Sequence, residues 1–244
     1  MAFNLASPRK GQSRQALLDT AERLFIERGY RTVSTREIAE AAQVNLGAIQ
    51  YHFGSKAGLF VETVQQMMRE SGCTKIGAKL ALADPKTKAE AATTLCEFIR
   101  AFMEQQLRPA GPQACKLMFR EVLGDSSEEP EMFESLLESV VEEFVKPMQE
   151  ALSRVVRVLA DDADTQTLSA ICRSIIAQCA FYVTHRPIIE RIECGDLSHS
   201  PAFDRTVEHL CRFSLRGIGC HDEAIAQALN AQVSLANHVR IVSK

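Results

Sequence analysis

Hydrophobic residues recur with a helical period along almost the whole chain. Near the N-terminus, Leu17, Ala21, Leu24 and Phe25 lie at positions i, i+4, i+7 and i+8, which places them on one face of a helix over 14–28. Runs in which apolar and polar residues alternate, as they do in strands, are few. The pattern therefore predicts an all-α protein.

Short polar signals mark where the first helices begin and end. Gly29 directly follows the first helix and suits a C-terminal cap, which requires a positive φ. Ser34 and Glu37 have the spacing of a capping box, which predicts a short helix over about 35–42. After a further short helix, an amphipathic helix is expected over about 57–69.

Two of the short helices have the features of a helix-turn-helix. Asn45 is a good N-cap for the second of them, over 46–52. Helices that cross over a tight turn need a small residue at the crossing and apolar residues that fix the angle. Ala39 precedes the turn, and Val44 and Ile49 follow it. The sequence thus predicts a helix-turn-helix near the N-terminus.

The same segment resembles a known DNA-binding domain. Residues 14–60, with the motifs IAEAAQV and YHFGSK, look like the N-terminal domain of the TetR family of transcriptional regulators. The resemblance implies a three-helix DNA-binding domain in a homodimer. One departure is Gln43, which stands where the family commonly has a glycine. Either Gln43 adopts a left-handed backbone or the turn adjusts.

The second helix of the motif is expected to read base pairs. The small residues Gly47 and Ala48 let its backbone approach the major groove, and Gln50 can form two hydrogen bonds with adenine. Arg36, Lys56 and the first amides of the helix at Thr35 can hold phosphates. Each of these side chains could also be plain solvated surface. The candidate DNA-binding residues are Thr35, Arg36, Asn45, Leu46, Gly47, Ala48, Gln50, Tyr51, His52 and Lys56.

A second resemblance covers the rest of the chain. The segments FREVLGDSSEEPEMFESLLESVVEEFVKPMQEAL and SIIAQCAFYVTHRPIIERI are similar to the ligand-binding domain of CecR-like TetR regulators. The resemblance implies a larger helical domain that binds a ligand and dimerises. The expected organisation is a flexible basic arm over 1–13, the DNA-binding domain over 14–60, the ligand-binding and dimerisation domain over 61–220, and a helical tail over 221–244.

One helix in this region is apolar on two faces. Its residues recur at spacings of 3, 4, 4 and 3, like a coiled-coil seam, and a later helix over about 204–216 has similar spacing. Two such helices from each of two chains would form a four-helix bundle. The alternative is a helix that is central to a large monomer. The candidate interface residues are Leu168, Ile171, Ile175, Cys179, Tyr182, Val207, Leu210, Cys211 and Ser214.

The body is also expected to hold a small-molecule pocket. Aromatic and methionine residues at helical spacing are usually core, so the polar residues among them are more informative. Such polar residues either form hydrogen bonds with one another or are available to bind a ligand. Here they are Arg120, Glu121, Gln178 and His185. The candidate pocket residues are Phe98, Phe102, Met118, Glu121, Gln178, Phe181, Tyr182 and His185.

Composition and charge narrow the possible functions. Residues 1–60 carry a net charge of +3 and the rest −6, so a polyanionic partner would meet the N-terminal domain. We expect the eight cysteines to be reduced packing residues, because there is no export signal and no CxxC pair. No apolar run approaches a membrane span, and we expect no membrane partner. The expected location is the cytoplasm.

The predicted function is a homodimeric, ligand-responsive regulator that binds a palindromic DNA operator, most simply as a repressor released by a small-molecule effector. The alternative is a small-molecule binding protein whose helix-turn-helix is only structural. No GxSxG, GxGxxG or P-loop motif supports an enzyme, and no metal or cofactor is expected.

Overall fold

The computed structural model describes residues 10–108, 113–122, 130–192, 196–197 and 201–231, and these residues form helices and no strand. The predicted all-α class is therefore confirmed. The helices are α1 (Lys10–Arg28), α2 (Thr35–Ala41), α3 (Gly47–Phe53), α4 (Lys56–Glu70), α5 (Cys73–Leu82), α6 (Lys88–Leu107), α7 (Gln113–Val122), α8 (Pro130–Val140), α9 (Lys146–Leu159), α10 (Thr165–Thr184), α11 (Arg186–Ile192) and α12 (Ala202–Ile218), with a further helical stretch over 222–231.

The chain divides into two compact units that are both discontinuous in sequence. The head unit lies within Met1–Glu70 and Gln113–Val141, and the body unit within Ser71–Pro112 and Glu142–Lys244. In the head, α7 packs on α1 and α4, and α8 packs on α4. This differs from the expected division at residue 60, which assigned α7 and α8 to the C-terminal domain.

The head is built around an aromatic cluster between α1 and α4. The ring centroids of Phe25 and Phe60 lie 5.3 Å apart in an edge-to-face arrangement, and Tyr30 lies 4.8 Å from Phe60. Fully burying one such phenylalanine contributes about 1.5–3 kcal/mol. The core face predicted for α1 is confirmed, since all four of its residues are buried. Helix α1 begins at Lys10, inside the predicted arm, whose first nine residues lie outside the described residues.

The predicted ends of the first two helices are confirmed. Gly29 has a φ of +85° and donates its N–H to the carbonyl of Phe25 over 2.9 Å. The Glu37 N–H donates to Ser34 Oγ (3.2 Å), and the Ser34 N–H donates to Glu37 Oε2 (2.8 Å). The Ser34 N–H, the Ser34 hydroxyl and the Arg28 guanidinium all donate to the Glu37 carboxylate and lower its pKa to about 2, the Ser34 backbone N–H contributing most. The turn that leads into α2 is thereby fixed.

The body packs its helices around α6. Helices α9, α10 and α12 all contact α6. Helix α10 begins after Asp164, whose Oδ1 accepts the Thr167 N–H over 2.7 Å. The stretch over 222–231 buries Ile225 and Ala228 in the same core. The start of the predicted tail therefore packs on the body, whereas residues 232–244 lie outside the described residues.

The connection from α8 to α9 is π-helical. The π-helical residues are Val141–Val145, and Pro147 follows at the start of α9. Because Pro147 has no backbone N–H, an α-helical ladder cannot continue unbroken through this point. The interruption coincides with the boundary between the head and body segments.

Helix α10 corrects the expectation that no stretch approaches a membrane span. It has a mean hydropathy of 1.2 over 18 residues, enough to cross a membrane by length and composition alone. One face of α10, including Leu168, Cys172 and Ile175, is buried in the body core. Such a helix is also what a folded helical core requires, and its outer face carries the exposed Arg173.

The described cysteines are free thiols, as predicted. Cys96, Cys172, Cys179 and Cys211 are buried in the body core. Burial raises the pKa of the Cys179 thiol to about 12, which keeps it protonated and unreactive. These residues act as small apolar packing residues.

Candidate functional site

The helix-turn-helix consists of α2, a tight turn and α3. The Gln43 N–H donates to the carbonyl of Glu40 over 3.1 Å, and the Val44 N–H donates to the carbonyl of Ala39 over 3.0 Å. These two bonds form a Schellman C-cap, which requires a left-handed residue. Gln43 takes that conformation with a φ of +56°, alone among the described non-glycine residues. Of the two expectations for Gln43, the left-handed backbone is the one observed.

The Gln43→Gly substitution is expected to stabilise the protein by about 1 kcal/mol. A left-handed backbone destabilises the folded state by about 1–2 kcal/mol at a non-glycine residue, and glycine removes this strain. Part of the gain is lost because glycine also gives the unfolded chain more conformational entropy. Urea unfolding followed by circular dichroism measures the change. The control Gln15→Gly places a glycine inside α1 and should lower the free energy of unfolding by about 1 kcal/mol. A lower midpoint for Gln43→Gly would contradict the strain argument.

Helix α3 presents an open outer face and is anchored by its inner face. Ile49 and Phe53 are buried in the head core. On the outer face, Leu46 is 50% exposed, Tyr51 is 67% exposed, and Gln50 is also exposed. The predicted base-reading side chains therefore lie on one accessible helix surface.

The start of α3 is held by Asn45. Its Oδ1 accepts the Gly47 N–H over 2.8 Å, so α3 begins at Gly47, one residue later than predicted. A Cβ at position 47 would lie 3.2 Å from that oxygen. The N-cap is therefore Leu46 and not Asn45 as predicted, and Asn45, one residue earlier, uses its side-chain oxygen to hold the first N–H of α3.

Basic and polar residues flank α3. Arg36 is exposed, and its Nε lies 2.9 Å from Glu40 Oε1, a hydrogen bond that raises the pKa of the guanidinium. Lys56 is half-buried, with its Nζ 4.2 Å from the Tyr30 ring centre, a cation–π contact. Thr35 is half-buried at the start of α2. All three positions have the chemistry of phosphate contacts.

The aromatic pair at the end of α3 is divided between surface and interior. His52 is half-buried, and its Nε2 lies 3.2 Å from Ser13 Oγ on α1. Tyr51 contacts the edge of His52, with ring centres 5.0 Å apart, and is otherwise accessible. Of the two rings, Tyr51 is the more open to a phosphate or base.

A second polar cluster fixes the C-terminal end of α1. Glu121 on α7 is only 6% exposed, and its Oε1 accepts the Tyr30 N–H over 3.1 Å. Arg120 lies 3.2 Å from the same carboxylate and donates to the carbonyls of Phe25 and Ile26. These carbonyls belong to the last turn of α1, where a positive charge is favourable. Of the two interpretations of this pair, mutual satisfaction is the one observed.

The predicted ligand-pocket residues are distributed over core, surface and both units. Met118 and Glu121 belong to the head and the others to the body. Phe98 and Phe102 are core residues with ring centres 5.8 Å apart, whereas Phe181 is 52% exposed. The remaining body residues are the half-buried Gln178 and Tyr182, and the exposed His185, whose ring stacks on Phe181 at 4.4 Å. Helical spacing identified apolar positions without identifying which of them share a cavity, and the grouping as a ligand pocket stays a prediction.

The body does contain a cavity, at a place that sequence reasoning missed. It has a volume of about 270 Å³ and lies between α5 and α6. Only Phe98 is shared with the predicted pocket. The residues that line it are Lys75, Ile76, Lys79, Leu80, Ala83, Thr94, Glu97, Phe98 and Ala101.

Most of the predicted dimer residues are buried within a single chain. Because a face that already packs on its own core cannot meet a partner, the predicted interface needs correction. The outer sides of the same helices carry Phe181, and on α12 Phe213, which is 58% exposed. The buried residues are Leu168, Ile175, Cys179, Val207, Leu210, Cys211 and Ser214, and the half-buried ones are Ile171 and Tyr182.

Comparisons with known proteins match both parts of the chain. Residues 17–63 match the family described as bacterial regulatory proteins, tetR family, and residues 91–218 match the C-terminal domain of the HTH-type transcriptional dual regulator CecR. The second match alone covers more than half of the chain.

Two individual relatives match a short stretch of the chain. The chain is 49% identical over 51 residues to the HTH-type transcriptional regulator AcrR of Shigella flexneri (21% of this chain, 24% of AcrR). It is 38% identical over 61 residues to the repressor AcnR of Corynebacterium glutamicum (25% of this chain, 32% of AcnR). The matched region thus spans about a quarter to a third of these relatives.

The fold is shared with solved regulators over most of the chain. The structure of NalD, the secondary repressor of the MexAB-OprM multidrug efflux pump in Pseudomonas aeruginosa, aligns with a TM-score of 0.55 and 22% identity. The alignment covers 85% of this chain and 95% of NalD. Together with the family matches, this shows that the chain belongs to the TetR family of DNA-binding transcriptional regulators and carries a CecR-type C-terminal domain.

Proposed function

We propose that the protein is a homodimeric repressor that binds a palindromic DNA operator through α3 and is released from it by a small-molecule effector. The observation that carries this proposal is the outer face of α3, where exposed side chains surround the small residues Gly47 and Ala48 above a buried anchor. A cytoplasmic location follows from this function.

Base reading is assigned to the accessible side chains of α3. A helix fits the major groove when its backbone can approach the base edges, which small residues allow. Gln50 has the donor and acceptor that pair with adenine, and the Leu46 side chain and the Ala48 methyl can contact thymine methyl groups. Asn45 contributes mainly by fixing where α3 starts, since its Oδ1 bonds to Gly47.

Most of the affinity for DNA is assigned to phosphate contacts by residues that flank α3. Arg36 and Lys56 would neutralise phosphates, with Thr35 and the first amides of α2 donating hydrogen bonds. Glu40 holds the Arg36 guanidinium at 2.9 Å, so Arg36 would exchange this exposed ion pair for a phosphate. Exposed ion pairs contribute little, so the exchange costs little.

The test is binding to an operator selected from random duplex DNA by the wild-type protein, measured by fluorescence anisotropy. The double variant Gln50→Ala with Tyr51→Ala is expected to bind about 100-fold more weakly, because it removes the base contact of Gln50, which contributes about 1–3 kcal/mol, together with the phosphate or base contact of Tyr51. Gln227→Ala, an exposed glutamine of the body, should bind like the wild type.

Two outcomes would contradict the proposal. Unchanged affinity of the double variant would show that α3 does not read the operator through these residues. If the selection yields no preferred DNA, the alternative of a small-molecule binding protein with a structural helix-turn-helix is favoured.

The dimer is assigned to the outer faces of α10 and α12, which pack against each other in the body. Along α10, Ala170, Ser174, Ala177 and Phe181 are exposed at positions i, i+4, i+7 and i+11. Small residues on one helix face permit the close approach of another helix, and Phe181 adds apolar area. Phe213 on α12 adds a second exposed apolar side chain, and a two-fold dimer would bring the same surface of both chains together.

A further inference from the structure

The groove between α5 and α6 combines an apolar lining with lysines. We propose that this groove binds small amphipathic carboxylates, with the hydrocarbon part against Leu80 and Phe98 and the carboxylate near Lys75 and Lys79. The proposal names a chemical class for the effector, and in that respect it rests on the proposed function.

The apolar lining favours a hydrocarbon. Five of the nine lining residues are apolar, and two of these, Leu80 and Phe98, are buried. Water in contact with such a surface is displaced favourably by an apolar group. The volume of about 270 Å³ lies just below the usual range for ligand sites, so the occupant is a small molecule.

The charges in the groove favour an anion. Lys75 and Lys79 are four residues apart on α5, so they lie on the same side of the helix. Glu97 is the only carboxylate in the lining, and its Oε2 already lies 3.4 Å from Lys79 Nζ. With two lysines and one glutamate the lining carries a net charge of +1, and Lys75 forms no ion pair with any residue that the structure describes.

The lysines suit a ligand that is polar at only one end. A lysine can lay its methylene stem along an apolar wall while its ammonium group stays in water. A carboxylate at the rim would pair with these ammonium groups and remain partly hydrated, and a hydrocarbon tail would extend toward Phe98. A cation would be repelled by the ammonium groups, and a uniformly polar ligand would gain nothing from contact with the apolar wall.

The test is isothermal titration of the full chain, without DNA, with butanoate, hexanoate, octanoate and 1-octanol. Affinity is expected to rise about fourfold per added methylene until the groove is filled. Octanoate should bind more tightly than 1-octanol, which has no charge. The double variant Lys75→Met with Lys79→Met should lose this preference, whereas Lys146→Met, an exposed lysine of α9, should keep it.

A second variant separates the groove from general surface binding. Ala101→Phe should fill the groove and weaken both octanoate and 1-octanol at least tenfold, with an unchanged circular dichroism spectrum as the check on folding. No binding of octanoate, equal binding of octanoate and 1-octanol by the wild type, or unchanged binding by either groove variant would overturn the proposal.

The two proposals fail separately. If the unliganded protein selects an operator but no carboxylate binds in the groove, the groove proposal alone is wrong. If octanoate binds as described and no DNA is selected, the proposed function is wrong and the groove remains a binding site.

Discussion

Replacing Glu121 with alanine is expected to lower the free energy of unfolding by about 2–3 kcal/mol. The substitution removes the acceptor of the Tyr30 N–H, and a buried donor without a partner costs about 1–3 kcal/mol. It also removes the carboxylate beside Arg120, whose guanidinium bonds to the last carbonyls of α1. Urea unfolding of the full chain, followed by circular dichroism, measures the loss.

Two further variants make this prediction specific. Glu121→Gln keeps an oxygen that can accept the Tyr30 N–H, and should cost only about 1 kcal/mol. Glu138→Ala removes an exposed glutamate from α8 and should change stability by less than about 0.5 kcal/mol. If Glu121→Ala were as stable as Glu138→Ala, the cluster would not hold α1 and the following turn in place.

Replacing Phe213 with glutamate is expected to convert the proposed dimer into monomers and to weaken operator binding by about 100-fold or more. A charge placed in an apolar interface of two identical chains is introduced twice and must be desolvated. A dimer also gains affinity because binding one half-site raises the effective concentration of the second head by a large factor. Sedimentation velocity measures the assembly state, and fluorescence anisotropy measures the binding.

The matched control for Phe213→Glu is Leu82→Glu, which places the same charge at another exposed apolar position of the body. The control should sediment and bind operator like the wild type. A Phe213→Glu protein that remains dimeric would exclude the outer face of α12 as the interface. A variant that is monomeric yet binds operator with wild-type affinity would contradict the assumed use of two linked heads.

The local structure of the head could be predicted from sequence because its signals are local. The capping box at Ser34 and Glu37 and the cap at Gly29 depend on residues a few positions apart, so their hydrogen bonds follow from spacing. The outward face of α3 follows from the same helical period that buries Ile49. The left-handed Gln43 was one of two possibilities, and only the geometry of the turn could decide between them.

The groupings that the sequence could not settle depend on contacts between residues far apart in sequence. Periodicity showed that Leu168, Ile175 and Cys179 share a face, but the same pattern describes a face that meets a partner and a face that meets the chain's own α6. For Arg120 and Glu121 the sequence left open whether they pair with each other or bind a ligand, because nothing local shows that their partners lie in the first thirty residues. The groove was missed because lysines and alanines on an exposed helix have no distinctive pattern.

The head is assembled from two separate stretches of chain, and this limits how operator preference can be exchanged among related regulators. A transplant ending at Glu70 would leave behind α7 and α8, and with them the carboxylate and guanidinium that secure the end of α1. A working chimera would have to carry Gln113–Val141 as well, although this stretch lies within the region that matches the CecR-type domain. Recombination within this family is therefore expected to respect three-dimensional boundaries rather than the order of residues along the polypeptide.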